Sequence, residues 1–261
     1  MKNKRTAIIG ALMSLLPMGH PLVIGTGTVL TSAALMIATP ETAKAESAVF
    51  YYNRGIDKYD AGDYYGAISD YSKAIELNPR DASAYYNRGL AKRKLGDNYG
   101  AIADYSKAIE LNPRDADAYV NLGLAKSNLE DHYGAISDYS KAIEINPRNA
   151  KAFYNRGTIK GRDLKDYDGA ISDFSKAIEL NPRDAKAYYN RGLAKSNLED
   201  HYGAISDYSK AIESNPKDSD AYRNRGIAKQ LIGDMEGACS DWRKASSLGD
   251  EEPVTWVRNE C

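Results

Sequence analysis

Residues 62–79 read GDYYGAISDYSKAIELNP, and closely similar stretches follow along the chain. The proline that ends the stretch recurs with spacings of 34, 34, 35 and 34 residues, at Pro79, Pro113, Pro147, Pro182 and Pro216. A fixed period of this length is typical of proteins that stack copies of one small structural unit. Each copy buries its apolar face against its neighbours. The function is therefore sought on a repeated surface, not in a single catalytic pocket.

The period divides most of the chain into six units. These are residues 48–81, 82–115, 116–149, 150–184, 185–218 and 219–252. The fourth unit has one extra residue, near Arg162-Asp163, and residues 123–144 are identical to residues 192–213. This identity indicates internal duplication with little later divergence.

The spacing of apolar residues inside a unit predicts two helices. In unit two the pattern predicts a first helix over Ser83–Leu95 and a second over Asn98–Leu111. Gly96 is a stop signal for the first helix. The second helix is expected to end before Pro113, because the residue that precedes a proline disfavours the helical conformation.

The repeated positions resemble the tetratricopeptide repeat (TPR) family, whose pattern runs W-x2-L-G-x2-Y, then A-x3-F, then P. The first aromatic residue of the pattern corresponds to Tyr51, Tyr85, Tyr119, Phe153, Tyr188 and Tyr222. Its glycine corresponds to Gly55, Gly89, Gly123, Gly157, Gly192 and Gly226. Its A-x3-F pair corresponds to Ala67/Tyr71, Ala101/Tyr105, Ala135/Tyr139, Ala170/Phe174, Ala204/Tyr208 and Ala238/Trp242.

The resemblance covers nearly all of residues 48–252 and implies an all-α fold. In this family the units form an α-solenoid, a right-handed superhelix of helix-turn-helix units, and here there are six. We expect residues 253–261, which begin with Pro253 and include Trp256, to form a short capping helix, because the end units of a solenoid must differ from the rest.

Two sets of equivalent positions depart from the family pattern and add charge. The family leucine is kept only at Leu122 and is elsewhere Arg54, Arg88, Arg156, Arg191 and Arg225. Lysine replaces the second tyrosine in every unit, at Lys58, Lys92, Lys126, Lys160, Lys195 and Lys229. Each second helix carries an aspartate just before its aromatic residue, at Asp70, Asp104, Asp138, Asp173, Asp207 and Asp241. We expect each arginine to pair with an aspartate, within one unit or between units, since such pairs are directional. The alternative is that they are solvated surface charges.

An asparagine lies two residues after the first aromatic residue of every unit, at Asn53, Asn87, Asn121, Asn155, Asn190 and Asn224. In TPR superhelices the first helices line the concave face, and in some members asparagines there bind the backbone of a peptide. The resemblance therefore implies a peptide-binding face, which would also include Tyr52, Tyr86, Tyr154 and Tyr189. An asparagine amide offers a donor and an acceptor to a peptide group. The alternative is that asparagine is simply common at this place in TPRs.

Motifs and charge argue against other functional classes. The sequence has no G-x-S-x-G, P-loop, H-E-x-x-H or C-x-x-C motif, and we expect no catalytic residue, cofactor or metal. Residues 1–45 hold four of the 35 basic residues and one of the 36 acidic residues, so the remainder has a net charge of −4. That charge does not suit a nucleic acid partner. We therefore predict a non-catalytic scaffold that binds a protein or peptide along the concave face. The alternative is a membrane-anchored or self-associating structural solenoid whose groove is not the main binding surface.

Residues 1–45 precede the repeats and have the features of an export signal. A basic start is followed by two apolar stretches within residues 6–38, and then by Ala43-Lys44-Ala45, which fits a small-x-small cleavage site. We expect export to a periplasm or, in a photosynthetic bacterium, to the thylakoid lumen. The alternative is an uncleaved membrane anchor through residues 6–38, because the second apolar stretch is almost long enough to span a bilayer.

The chain has two cysteines, Cys239 and Cys261, both near its C-terminus. A disulfide between them is compatible with an oxidising compartment. The alternative is a buried thiol on a helix and a free thiol at the chain end.

We predict that the mature protein begins at Glu46, because a small-x-small site follows an apolar stretch. N-terminal sequencing of the protein from its native host tests this. A dominant species that retains residues 1–45 would instead favour the membrane anchor.

Overall fold

The computed structural model describes residues 39–253, 255, 257 and 261. The chain divides into two compact parts, which we call the N-terminal part (Met1–Pro79) and the main part (Arg80–Cys261). The described residues form helices and no strand, which confirms the predicted all-α fold.

Each repeat contributes two helices. The N-terminal part holds α1 (Pro40–Asp60) and α2 (Tyr64–Leu77). The main part holds α3 (Ala82–Lys94), α4 (Asn98–Leu111), α5 (Ala116–Ser127), α6 (His132–Ile145), α7 (Ala150–Thr158), α8 (Tyr167–Leu180), α9 (Ala185–Asn197), α10 (His201–Ser214), α11 (Ser219–Leu231) and α12 (Met235–Ser247). In unit two, α3 begins and ends one residue before the predicted helix, and α4 has the predicted bounds.

Packing in the main part follows chain order. Within a unit the first helix packs on the second, as in α3 and α4, and the second helix packs on the first helix of the next unit, as in α4 and α5. This consecutive pairing is the arrangement that the repeat period predicts.

The closest approach of two helices in a unit is between a glycine and an aromatic ring. In unit two, Gly89 of α3 faces Tyr105 of α4, which is fully buried. A Cβ atom at Gly89 would lie 2.8 Å from Cε1 of Tyr105, closer than atoms can pack. The missing side chain therefore lets the ring fill the space between the helices.

A second glycine near the start of α4 has a different role. Asp97 precedes α4, and its Oδ1 accepts a hydrogen bond from the backbone N–H of Gly100 at 2.8 Å. An aspartate in this position satisfies one of the unpaired N–H groups at a helix start. The same bond begins the other second helices, with Asp63, Asp131, Asp166, Asp200 and Asp234 as acceptors.

The extra residue of unit four lies in a widened helical turn. Helix α7 ends at Thr158 and continues as a π-helical turn, Ile159–Asp163. Such a turn takes more residues than an α-helical turn, so it absorbs a single insertion inside a helix. Lys165 then reverses the chain with a positive φ of 56°, where the equivalent residue of unit two is Gly96.

Helix α1 begins earlier than the repeat pattern does. It starts at Pro40, so the predicted cleavage point after Ala45 lies inside the helix, although residues 40–47 are all exposed. Among the described residues, no helix is both long enough and apolar enough to cross a membrane. The predicted apolar stretches within residues 6–38 lie outside the described residues, and the export signal stays a prediction.

The C-terminal residues are attached to the last repeat. Cys239 of α12 and Cys261 form a disulfide, with their Cα atoms 5.6 Å apart. Pro253, Thr255 and Val257 are helical, and Pro253 is buried, whereas Trp256 lies outside the described residues.

The predicted arginine–aspartate pairs lie within single units and are bidentate. Arg88 of α3 donates from Nε to Oδ2 of Asp104 at 3.0 Å and from Nη2 to Oδ1 at 2.7 Å. The equivalent pairs are Arg54–Asp70, Arg156–Asp173, Arg191–Asp207 and Arg225–Asp241. The aspartates are buried, so these pairs are not the solvated charges of the alternative interpretation.

Two further groups complete each ion-pair cluster. The lysine one turn after the arginine contacts the same carboxylate, as Lys92 Nζ does at 2.8 Å from Oδ2 of Asp104. Some of the arginines also reach the preceding unit through Nη1. The acceptors are Ser140 for Arg156, Ser175 for Arg191 and Ser209 for Arg225. Each such cluster therefore joins two helices of one unit and the second helix of the unit before it.

Unit three lacks the arginine. Leu122 stands in its place, and among the described residues Asp138 is paired by Lys126 alone, whose Nζ lies 2.8 Å from Oδ2. Burial raises the pKa of the Asp138 carboxyl, against the effect of Lys126. In the N-terminal part, the hydrogen bonds from Arg54 lower the pKa of Asp70.

We predict that Asp104→Asn destabilises the protein more than Asp138→Asn does. At neutral pH the first change should cost about 2–3 kcal/mol, because two cations lose their buried partner, and the second less than about 1 kcal/mol. The free energy of unfolding in urea measures both. Equal losses would contradict the role assigned to the arginine.

The pH dependence provides a further check on these pairs. The raised pKa of Asp138 adds stability below the unfolded value of about 3.9, and this stability is lost as pH rises. Asp138→Asn should therefore cost less at pH 7 than at pH 4. The lowered pKa of Asp70 adds stability above that value, so Asp70→Asn should cost more at pH 7 than at pH 3.

Candidate partner-binding face

The first helices of the repeats present the predicted binding residues. In the main part these helices are α3, α5, α7, α9 and α11, and we call the surface that they share the first-helix face. Neighbouring first helices pack directly at α3 and α5, at α5 and α7, and at α9 and α11.

Three of the six predicted asparagines hydrogen bond to a tyrosine of the preceding unit. The Nδ2 atom of Asn121 donates to the hydroxyl of Tyr86 at 2.9 Å. Asn190 bonds in the same way to Tyr154, and Asn224 to Tyr189, each also at 2.9 Å. These amides therefore hold neighbouring units together, a role that the sequence analysis did not assign to them.

Asn155 differs because its unit follows Val120, which replaces the tyrosine. It is half-buried, and no hydrogen bond of its side chain is found among the described residues. A half-buried amide without a protein partner has donor and acceptor capacity to offer a ligand. The remaining two asparagines are Asn53, which is exposed in the N-terminal part, and Asn87, which is half-buried in the main part.

The predicted groove tyrosines also have a packing role. The ring of Tyr86 lies against Tyr105 with centroids 5.8 Å apart, and Tyr189 lies against Tyr208 at the same distance. In the N-terminal part, Tyr52 is buried against Tyr71. Burial raises the pKa of Tyr189 to about 12, so its hydroxyl stays neutral and can both donate and accept.

A pocket of about 470 Å³ lies beside α7, between units four and five. Tyr154 and Thr158 line it from α7, Arg162 from the π-helical turn, and Asn190 and Leu193 from α9. Thr158 occupies a position that is leucine or isoleucine in the other units, at Ile56, Leu90, Leu124, Leu193 and Ile227. The smaller side chain leaves space at this position that a leucine would occupy.

Arg162 is the charged residue of the pocket lining. Its side chain is 69% exposed, and it donates from Nε and Nη2 to the carboxylate of Asp163 at 2.8 and 3.1 Å. The sequence signals for this pocket were the small residues Thr158 and Gly161 and the extra residue, but single-residue differences between repeats do not by themselves indicate a cavity. Among the described residues, no group of three His, Cys, Asp or Glu side chains could hold a metal ion.

Comparison with family models identifies the repeats. A model described as TPR repeat matches residues 57–96, 89–130 and 161–199, and a model described as Tetratricopeptide repeat matches residues 116–149 and 185–218. Together these matches cover more than half of the chain. The chain belongs to the tetratricopeptide repeat family. A search of curated proteins found no match.

Solved structures show the same fold. YrrB, described as a TPR protein with an unusual peptide-binding site, is 28% identical with a TM-score of 0.63, over 72% of this chain and 97% of YrrB. MamA is 29% identical with a TM-score of 0.59, over 61% of this chain and 93% of MamA. PilF of Pseudomonas aeruginosa, at 17% identity and a TM-score of 0.70, covers 84% of this chain and 100% of PilF and supports the fold alone. Family and fold together support a protein-interaction scaffold.

We predict that the asparagine–tyrosine bonds stabilise the stack. Tyr154→Phe and Asn190→Ala should each cost about 1 kcal/mol of unfolding free energy, because each removes the same hydrogen bond. A double-mutant cycle in urea should therefore show a coupling energy of about 1 kcal/mol. The matched control is Asn155→Ala, for which little loss is expected. Additive effects of Tyr154→Phe and Asn190→Ala would show that the bond does not contribute.

Proposed function

We propose that this protein is a non-catalytic scaffold that binds a segment of a partner protein along the first-helix face. The observation that carries the proposal is the half-buried side chain of Asn155, which has no hydrogen-bond partner among the described residues, whereas three equivalent asparagines bond to tyrosines. Peptide backbone groups would satisfy both ends of that amide. The description of YrrB as a peptide-binding TPR protein supports the same kind of partner.

We place the main contacts with the partner at unit four, and not at all six asparagines. Asn155 and Thr158 lie three residues apart in α7, which places them on one side of that helix, and Arg162 follows in the π-helical turn. Thr158 and Arg162 line the pocket beside α7, and Asn155 lies about one turn before Thr158 on the same helix. The other asparagines contribute indirectly, because they fix the spacing of the helices that form the face.

We also propose that the protein meets its partner after export. The export features of residues 1–45 support this, and so does the disulfide between Cys239 and Cys261, because disulfides persist mainly in oxidising compartments. A periplasm or a thylakoid lumen would meet that condition. The net charge of −4 after residue 45 continues to argue against a nucleic acid partner.

Asn155→Ala tests the proposed face. Partner proteins are first captured from the exported fraction of the native host, and the bound segment is mapped by cross-linking and synthesised. Asn155→Ala should weaken binding of this peptide by about fivefold, since one hydrogen bond is worth about 1 kcal/mol. The free energy of unfolding should stay the same.

Asn121→Ala is the matched control for this test. It should lower the unfolding free energy, because it removes the bond to Tyr86, and change affinity less than Asn155→Ala does. If the peptide binds Asn155→Ala as tightly as the unchanged protein, the proposed face is wrong. The alternative of a self-associating or membrane-anchored solenoid is then favoured.

A further inference from the structure

The pocket beside α7 is a local property of unit four. The units on either side, three and five, share 22 identical residues over 123–144 and 192–213, whereas unit four differs. It has Thr158 where both neighbours have leucine, Gly161 where both have serine, and one additional residue in the π-helical turn. Two smaller side chains and a widened turn together account for the opening.

The lining of the pocket combines aromatic and aliphatic side chains with the polar side chains of Thr158, Arg162, Asn190 and Asn197. Tyr154, Tyr167 and Phe174 contribute rings, and Leu193 and Ala194 of α9 contribute aliphatic groups. A volume of about 470 Å³ falls in the range of sites that bind small molecules or side chains, roughly 300–1,000 Å³. Such a surface gains free energy when it buries a large apolar side chain.

The guanidinium of Arg162 favours ligands that carry a carboxylate beside their apolar side chain. Arg162 binds Asp163 through Nε and Nη2, and the described structure shows no hydrogen bond from its Nη1 atom. A planar guanidinium can donate to a second carboxylate from its remaining edge. A lysine or arginine of a ligand offers this guanidinium no acceptor and so gains no such bond. The pocket therefore suits an aromatic side chain with an acidic residue beside it.

We propose that this pocket binds an aromatic side chain of the partner segment, and that Arg162 binds a carboxylate next to it. The inference rests on the proposed function, because it assigns to that segment the residue that decides specificity. Asn155, on the same helix, would hold the adjacent backbone. In this proposal unit four provides the pocket for the aromatic side chain, and the more regular units form the rest of the first-helix face.

Three blocked tetrapeptides probe the pocket with the full chain. They are Ac-Ala-Trp-Glu-Ala-NH2, the same peptide with lysine instead of glutamate, and the same peptide with alanine instead of tryptophan. Binding is measured by ligand-observed saturation-transfer NMR and calorimetry. The first peptide should bind at least about tenfold more tightly than the alanine peptide, because an aromatic side chain is buried only in the first. It should also bind more tightly than the lysine peptide.

Two variants separate shape from charge. Thr158→Leu restores the residue of units two, three and five and should fill the pocket, so binding of the tryptophan peptides should fall at least about tenfold. Leu90→Thr makes the reverse change at the equivalent place in unit two and should leave peptide binding unchanged. Arg162→Gln should remove the preference for glutamate over lysine, and its unfolding free energy in urea checks that loss of the pair with Asp163 leaves the fold intact.

The outcomes distinguish this inference from the proposed function. Equal binding of the three peptides, or no binding at millimolar concentration, would overturn the pocket assignment. The pocket assignment would also be overturned if Thr158→Leu and Arg162→Gln both bound Ac-Ala-Trp-Glu-Ala-NH2 as tightly as the unchanged protein does. If Asn155→Ala weakens the natural partner segment but neither pocket variant does, the first-helix face stands and the pocket assignment is wrong.

Discussion

The buried aspartate of each second helix constrains the rest of the repeat. A carboxylate that has lost its water needs cations close by, and this places arginine and lysine one helical turn apart on the first helix. The arginine then reaches a serine of the preceding unit in several repeats. One buried charge thus sets the contact of two helices and, through the same guanidinium, the contact of two units.

Departures from this regularity cluster in the middle of the main part. Unit three has Leu122 instead of arginine and Val120 instead of tyrosine, and both changes remove polar links that the other units make. Loss of the tyrosine leaves Asn155 without the bond that three equivalent asparagines make, and the pocket lies between units four and five. These irregular units are where the proposed binding is placed, since departures from local regularity tend to mark functional sites.

The sequence predicted what is repeated and missed what depends on distances between helices. Six copies of one pattern define the helices, and matching columns of arginine and aspartate predict their pairing, because both signals are periodic. The bond from Asn190 to Tyr154 joins residues of different units, so it depends on how the helices stack. The extra residue near Arg162 was visible, yet only the structure shows that a π-helical turn absorbs it.

The identical segments in units three and five have a consequence for how the chain can change over time. Gly123 and Gly192 begin the same 22-residue sequence, 69 positions apart, so recombination between the two coding copies would delete two units in one step. The shortened chain would pass from unit three directly into unit six with the usual residues at the junction. It would keep its helical period and lose the pocket entirely. A protein of this design can therefore gain or lose the pocket of unit four through a single gene rearrangement.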